Sequence, residues 1–171
     1  RNFQYHTEKS FPELEGIDIV ILGVCEDRLA LINKGCGAAP DEVRKHLYKL
    51  FPVGFTPKVA DLGNIMPGHS EQDTFYAVSE TIDYLLRQNV TPIIIGGSHD
   101  LSYAQFRGYE KLEQTINVVT VDPGFDLGSA EHELSNKTFL GKIILHQPNY
   151  LFNYSNIGYQ TYLVPQASLG M

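Results

Sequence analysis

Thr91-Pro-Ile-Ile-Ile-Gly-Gly-Ser-His-Asp100 runs a short apolar stretch into a glycine pair and three polar residues. Pro92-Ile-Ile-Ile95 reads as a buried strand, because a brief β-branched run bounded by glycine wants apolar neighbours on both faces. Ser98, His99 and Asp100 then fall where a strand hands over to a helix, predicted from about Leu101 to Gln114. The same handover recurs along the chain. Ile17-Asp-Ile-Val-Ile-Leu-Gly-Val24 is a second strand of this type, Lys58-Val-Ala-Asp-Leu62 a shorter one, and Ile116-Asn-Val-Val-Thr-Val121 ends at Asp122.

Helical patterns separate these strands. Pro40 suits a first helical position, Asp41 and Glu42 suit the first turn, and Val43, Leu47 and Leu50 follow at helical spacing, with a stop near Phe51-Pro52. Ser70 and Asp73 have the spacing of a capping box, with Asp in place of the usual Glu, and Phe75, Val78, Ile82, Leu85 and Leu86 form one apolar stripe ending near Asn89. A polar loop over Pro123–Glu133 leads to a helix expected to be capped by Ser135 and to carry Phe139, Leu140, Ile143 and Ile144. Tyr150 to Val164 is rich in β-formers and is predicted to be mostly strand. Strands alternating with helices imply a three-layer α/β/α fold with a mainly parallel sheet, and residues 1–171 are read as one domain. The chain starts without Met and ends Gln166-Ala-Ser-Leu-Gly-Met171, so it is expected to be a piece of something longer.

Composition narrows the function. A formal net charge of −7 provides no basic field to gather phosphates, so neither nucleic acid nor an anionic membrane is an expected partner. The apolar runs are far shorter than the roughly 20 residues of a membrane span, and the setting is expected to be cytoplasmic. Cys25 and Cys36 have neither zinc-site spacing nor the density of a disulfide scaffold, and are read as reduced thiols. Gly35-Cys-Gly-Ala-Ala-Pro40 stands about ten residues beyond its strand and lacks the third glycine of a dinucleotide loop. No phosphate-binding loop or nucleophile elbow is found.

In open parallel sheets, chemistry gathers beyond the carboxyl ends of the strands. His99 and Asp100 lie on one such loop; Asp122 and Asp126 lie on another, around Pro123-Gly124-Phe125. One imidazole with carboxylates suits a hard divalent ion such as manganese or magnesium, and a bound ion would acidify water for hydrolysis. The structural alternative is equally concrete. Ser98 or Asp100 would cap a helix, the glycines would relieve a tight turn, and Asp122 would simply end a strand. His6, His46, His69 and His146 have no partner pattern and are read as surface or packing residues. Tyr150, Tyr154, Tyr159 and Tyr162 are read as packing or subunit-contact residues, which leaves a homo-oligomer open.

Gly96-Gly-Ser-His-Asp100 resembles the Gly-Gly-Asp-His-Ser motif of the ureohydrolases, the family of arginases, agmatinases and formimidoylglutamases. Asp122-Pro-Gly-Phe-Asp126 resembles their Asp-Ala-His-x-Asp motif. Gly35-Cys-Gly-Ala-Ala-Pro-Asp-Glu-Val-Arg44 is similar to their early Gly-x-x-x-Gly-Pro-x-x-Ile-Arg segment. Asp61-Leu-Gly-Asn64 resembles their Asp-x-Gly-Asp strand end, with Asn64 in the last place, and Asn156-Ile-Gly-Tyr159 stands where they have a later Ile-Gly strand. The likeness spans about Ile17 to Val164 and implies an arginase-like fold, of which this chain would be the N-terminal part.

The resemblance also implies manganese as cofactor and hydrolysis of the carbon–nitrogen bond of a guanidino or formimino group, with a small-molecule amidine as substrate. Formimidoylglutamase or agmatinase is the nearest expectation. Relatives of this kind hold two ions with six ligands, and His99, Asp122 and Asp126 stand at three of those positions. Gly124 replaces the second-motif histidine, and the later Asp-x-Asp pair does not occur before Met171. The site is therefore expected to be degenerate, with Ser135 and Asn136 as substrate contacts. Asp100, Glu131 or His132 are candidates for a substitute ligand. A non-catalytic homologue or fragment, serving binding or assembly, is the competing expectation.

Overall fold

A computed structural model describes residues 3–51, 54, 57–128 and 132–166. Its strands are β1 (Phe3–Tyr5), β2 (Ile19–Val24), β3 (Val59–Ile65), β4 (Thr91–Ile95), β5 (Ile116–Val121) and β6 (Leu151–Ile157). Its helices are α1 (Ala39–Leu47), α2 (Glu71–Arg87), α3 (Leu101–Glu110) and α4 (Phe139–Ile144). All strand pairs are parallel. They form a four-stranded sheet ordered β1-β3-β2-β4 and a separate pair β5-β6.

The layering follows from the two-residue period of β2. Val20 and Val24, fully buried on one face, pack in clusters that hold Leu85, Val78 and Ile82 of α2. Gly23 faces the other way, where an added Cβ would lie 2.8 Å from Pro40 Cβ and 2.9 Å from Arg44 Nη1 of α1. Helices α1 and α2 thus cover opposite faces of the sheet, the three-layer arrangement the sequence implies. Helix α3 links the two sheets. Its Leu101 and Ala104 join the α2 cluster, while Phe106 packs with Phe139, Leu140 and Ile143 of α4 and, at their margin, Ile116 of β5 and Leu151 of β6.

Several details differ from expectation, each for a physical reason. Strand β4 was expected to be buried on both faces, yet Ile93 is 45% exposed, because β4 is the edge of its sheet rather than an interior strand. Strand β3 extends to Ile65 because it carries one extra residue between Asp61 and Asn64 opposite Ile21–Gly23, a bulge with Gly63 at φ 78° that looks like a loop in sequence. Helix α4 begins at Phe139, since Ser135 N–H donates to Thr138 Oγ1 at 2.8 Å and closes a turn ahead of the helix instead of capping it. Helices α1 and α3 stop at Leu47 and Glu110, short of the predicted ends, and Pro52 lies outside the described residues. After β6 the chain turns into a single 3-10 turn at Thr161–Leu163, so only the first half of the last predicted strand forms. The capping box at Ser70 and Asp73 is present in both directions. Among the described residues no helix is long and apolar enough to cross a membrane.

Two buried charges fasten the layers. Arg44 of α1 donates to Asp61 of β3 through Nε and Nη2, both at 2.8 Å, and Asp61 also accepts from Tyr48 and from the Gly63 N–H. Burial alone raises the Asp61 carboxyl, but these donors outweigh it and hold it below the usual carboxylate range. Glu26, fully buried just beyond β2, accepts from Arg28 N and Nε and from Thr74 Oγ1 of α2, each at 2.9 Å. Burial again pushes this carboxyl up, and the Arg28 and Thr74 bonds bring it down to about 2.

Removing one partner of a buried pair leaves an uncompensated charge, which costs about 3–5 kcal/mol. Arg44→Met is therefore expected to lose about that much in urea unfolding at neutral pH, and a loss below about 1 kcal/mol, the scale of an exposed pair, contradicts the assignment. The Glu26 carboxyl is depressed in the fold, so its contribution is complete above its ordinary value of 4.5 and disappears as pH falls toward about 2. Urea midpoints measured across that window should fall steeply for the parent protein and more gently for Glu26→Gln, and parallel slopes would refute the linkage.

Candidate metal centre

Backbone contact places the first loop. The segment after β4 passes so close to the segment after β2 that a Cβ on Gly97 would sit 1.9 Å from the Glu26 carbonyl oxygen. Only glycine fits there, and the Ser98 N–H donates to that same carbonyl at 3.3 Å. The carbonyls of Ser98, His99 and Asp100 then accept from Leu101, Ser102 and Tyr103 at 2.9–3.2 Å, leading the chain into α3. No side chain caps that helix. The capping alternative for Ser98 and Asp100 is therefore not what the turn uses, whereas the steric role expected of the glycines holds for Gly97.

Strand β6 clamps the second loop. Asp122 N–H donates to the Ile157 carbonyl at 3.2 Å, and Asn156 Nδ2 donates to the Gly124 carbonyl at 3.2 Å. Gln160 N–H reaches the Pro123 carbonyl at 2.8 Å, and the Phe125 and Tyr159 rings pack with centroids 5.4 Å apart. From below, Leu140 N–H of α4 donates to the Asp126 carbonyl at 3.1 Å.

The two loops meet at three side chains. His99 Nδ1 lies 3.0 Å from Asp126 Oδ2 and 3.6 Å from Asp122 Oδ2, and one donor atom from each residue lies within 4.8 Å of the others. Asp126 is buried, Asp122 partly so, and the Phe139 ring packs in a T-shaped arrangement against the imidazole at a centroid distance of 5.9 Å. A cavity of about 150 Å³ opens over them, lined also by Gly124, Phe139 and Tyr154. Hydrogen bonding to Asp126 raises the His99 imidazole above its ordinary value despite some loss of solvent, with both carboxylates adding to the effect. Burial pushes the Asp126 carboxyl up, but His99 and Lys137 outweigh it and hold it low. One imidazole and two carboxylates facing a common space are hard donors, and this set fits a divalent cation of the manganese or magnesium class.

Other residues singled out in the sequence sit elsewhere. Ser135 Oγ accepts from Lys137 N–H at 3.2 Å, and Asn136 binds the loop after β2, accepting from Leu31 N–H at 3.2 Å and donating its own N–H to Leu29. Both are buried and neither lines the cavity. Asp100 is fully buried and bonded to Ser98 Oγ; loss of solvent raises its carboxyl to about 6. It does not join the group of three, and neither does His132, which is exposed; Glu131 lies outside the described residues. His146 is a packing residue, held by Tyr103 at 3.1 Å and Glu110 at 2.9 Å. Tyr154 supports the cavity wall, its hydroxyl 2.7 Å from Thr120 Oγ1. The residue that sequence reasoning missed is Lys137, whose Nζ donates to Asp126 Oδ1 at 3.0 Å. Its place two residues after Ser135 carries no motif that would have singled it out.

Comparison with known proteins agrees with this architecture. The formimidoylglutamase of Macrococcus caseolyticus is 34% identical over 131 residues, covering 73% of this chain and 42% of that protein. That of Hahella chejuensis is 29% identical over 176 residues, covering 96% of this chain and 54% of that protein. The chain thus spans about half the length of the curated relatives it matches. Among solved structures, Trypanosoma cruzi formiminoglutamase with Mn2+ superposes with a TM-score of 0.80 at 19% identity, over 94% of this chain and 58% of that one. The arginase of Medicago truncatula gives 0.75 at 17% identity, over 91% and 53%. At that identity the two structures speak for the fold alone. The family model described as the arginase family matches residues 17–165, and with the two strand-end loops in place this chain belongs to that family.

Proposed function

We propose that this chain carries a reduced metal site of a hydrolase acting on the carbon–nitrogen bond of a linear amidine, in which His99, Asp122 and Asp126 hold one divalent cation, manganese by preference. The observation that carries this reading is the convergence of three hard donor atoms within 4.8 Å at the rim of parallel strands. A bound divalent ion supplies Lewis acidity and a source of hydroxide near neutral pH. The chain's own part is to position donors: Gly97 sets the turn that presents His99, and β6 and α4 fix Asp122 and Asp126. Formiminoglutamate is the substrate favoured by the curated relatives, all named for that activity among those most similar. Ser135 and Asn136 enter this reading through the turn they build beside the site, and a cytoplasmic setting goes with it.

A second reading has its own observation. Gly124 offers no side chain where a further imidazole is expected, so the site retains three donors, and the chain then serves as a binding or assembly module of the family. Gly124 leaves room for a ligand: an added Cβ meets nothing nearer than Asp122 Oδ1 at 3.7 Å and the Leu163 carbonyl at 3.8 Å.

Manganese titration followed by electron paramagnetic resonance tests both readings, together with assays for formamide release from formiminoglutamate and urea release from agmatine and arginine. About one equivalent should bind, and His99→Ala and Asp126→Ala should each weaken binding at least tenfold. Product release sustains the hydrolase; binding without turnover selects the module; less than about a tenth of an equivalent at millimolar metal ends the cation reading. Gly124→His adds a donor on the cavity wall, where its Cβ makes only ordinary contacts, and should tighten binding about tenfold or more; unchanged affinity would show that position 124 does not face the ion.

A further inference from the structure

Lys137 is the charge at this site that the family pattern does not account for. It sits on a turn held from every side. Thr138 Oγ1 donates to the Glu133 carbonyl at 2.7 Å and accepts from Ser135 N–H at 2.8 Å, Asn136 is tied to Leu29 and Leu31, and Lys137 N–H donates to Ser135 Oγ. Its neighbours Asn136 and Thr138 are buried at 7% and 6% exposure, so the backbone from which the side chain springs has little freedom. The ammonium lies 3.0 Å from Asp126 Oδ1, while Asp126 Oδ2 takes the His99 ring at 3.0 Å. Both oxygens of the most buried carboxylate in the group are thereby occupied by nitrogen donors.

We propose that Lys137 is a tethered cation that competes with a divalent ion for Asp126 and sets the affinity of the site. The inference rests on the cation reading of His99, Asp122 and Asp126 and adds a determinant of how strongly that site binds. Two carboxylates need positive charge to stay close in a partly buried place. An ammonium delivered from a rigid turn supplies part of it permanently, and a divalent ion entering the site meets that like charge and, on taking Asp126 Oδ1, turns the ammonium out. The Lys137 side chain is 50% exposed, so the displaced head has water to move into, and the exchange alters affinity without closing the site. Lysine suits this better than arginine in one respect, being a compact point charge on a flexible stem.

The test is manganese binding to the purified chain at fixed pH and ionic strength, comparing the parent with Lys137→Met and Lys137→Arg, with thermal unfolding to confirm that each variant is folded. Changing a group that supports a metal ligand ordinarily costs about 10–100-fold in affinity, whereas Lys137→Met removes a like charge from beside the ion and is expected to tighten manganese by about tenfold or more. Lys137→Arg keeps the charge and should bind like the parent. A lysine with a purely structural role would leave Met no tighter than the parent, or would make Met and Arg equivalent, and either result overturns the proposal. Manganese binding equal in parent and Met rejects the Lys137 role while keeping the cation site. Binding in none of the proteins rejects the cation site and this proposal together.

Discussion

An ionised carboxylate in a protein interior is costly unless donors meet it, and meeting that demand at Glu26 ties together segments of this chain. Arg28 and Thr74 bind the side chain, which ties the loop after β2 to the start of α2. The carbonyl of the same residue accepts from Ser98, and the neighbouring Gly97 approaches it so closely that no larger residue fits. A few residues on, Leu29 and Leu31 hold Asn136 and with it the turn that carries Lys137. Glu26 therefore binds the start of α2 through its side chain and the turn bearing His99 through its carbonyl, and the loop beyond it holds the turn bearing Lys137. Asp122 and Asp126 arrive from a different direction, clamped between β6 and α4.

The electrostatics of the site follow from that convergence. Two carboxylates are brought together with an imidazole and an ammonium, so nitrogen donors already occupy both oxygens of Asp126 and the Lys137 ammonium supplies positive charge beside it. A divalent ion would replace that charge with a more concentrated one and would need His99 in its neutral form to ligate. Strength of metal binding is thus decided by a balance within the chain as much as by the number of ligands. The same division of the structure that leaves β4 as an edge also keeps β5 and β6 as a separate pair, and the meeting of His99 with Asp126 is a polar bridge between the loops at the carboxyl ends of the two sheets.

Much of this was legible in sequence because it is local. Ile116–Val121 forms the strand its β-branched run predicts, and Ser70 with Asp73 makes the capping box that their spacing announces. His99, Asp122 and Asp126 stood out in the sequence because all three lie in the loops that follow β4 and β5, where parallel sheets expose side chains. What stayed hidden depends on distant partners. The bulge in β3 is invisible because Gly63 and Asn64 are loop formers until β2 pairs beyond them, and β1 is three residues whose strand character comes only from β3. The exposure of Ile93 reflects which strand is absent beside it, not its own composition. Ser135 looked like a cap because capping residues and turn residues share the same hydroxyl chemistry, and the bond to Thr138 decides between them. Lys137 belongs to the site through a fold-back over eleven positions of chain, from Asp126, that no periodicity encodes.

The most direct measurement is an anomalous difference map at the manganese edge from crystals of this chain soaked in millimolar manganese. A single peak among His99 Nδ1 and the carboxylate oxygens of Asp122 and Asp126, with the Lys137 ammonium drawn away from Asp126, is the result this account predicts. Manganese bound at another place, or those three side chains surrounding no peak at all, would contradict it.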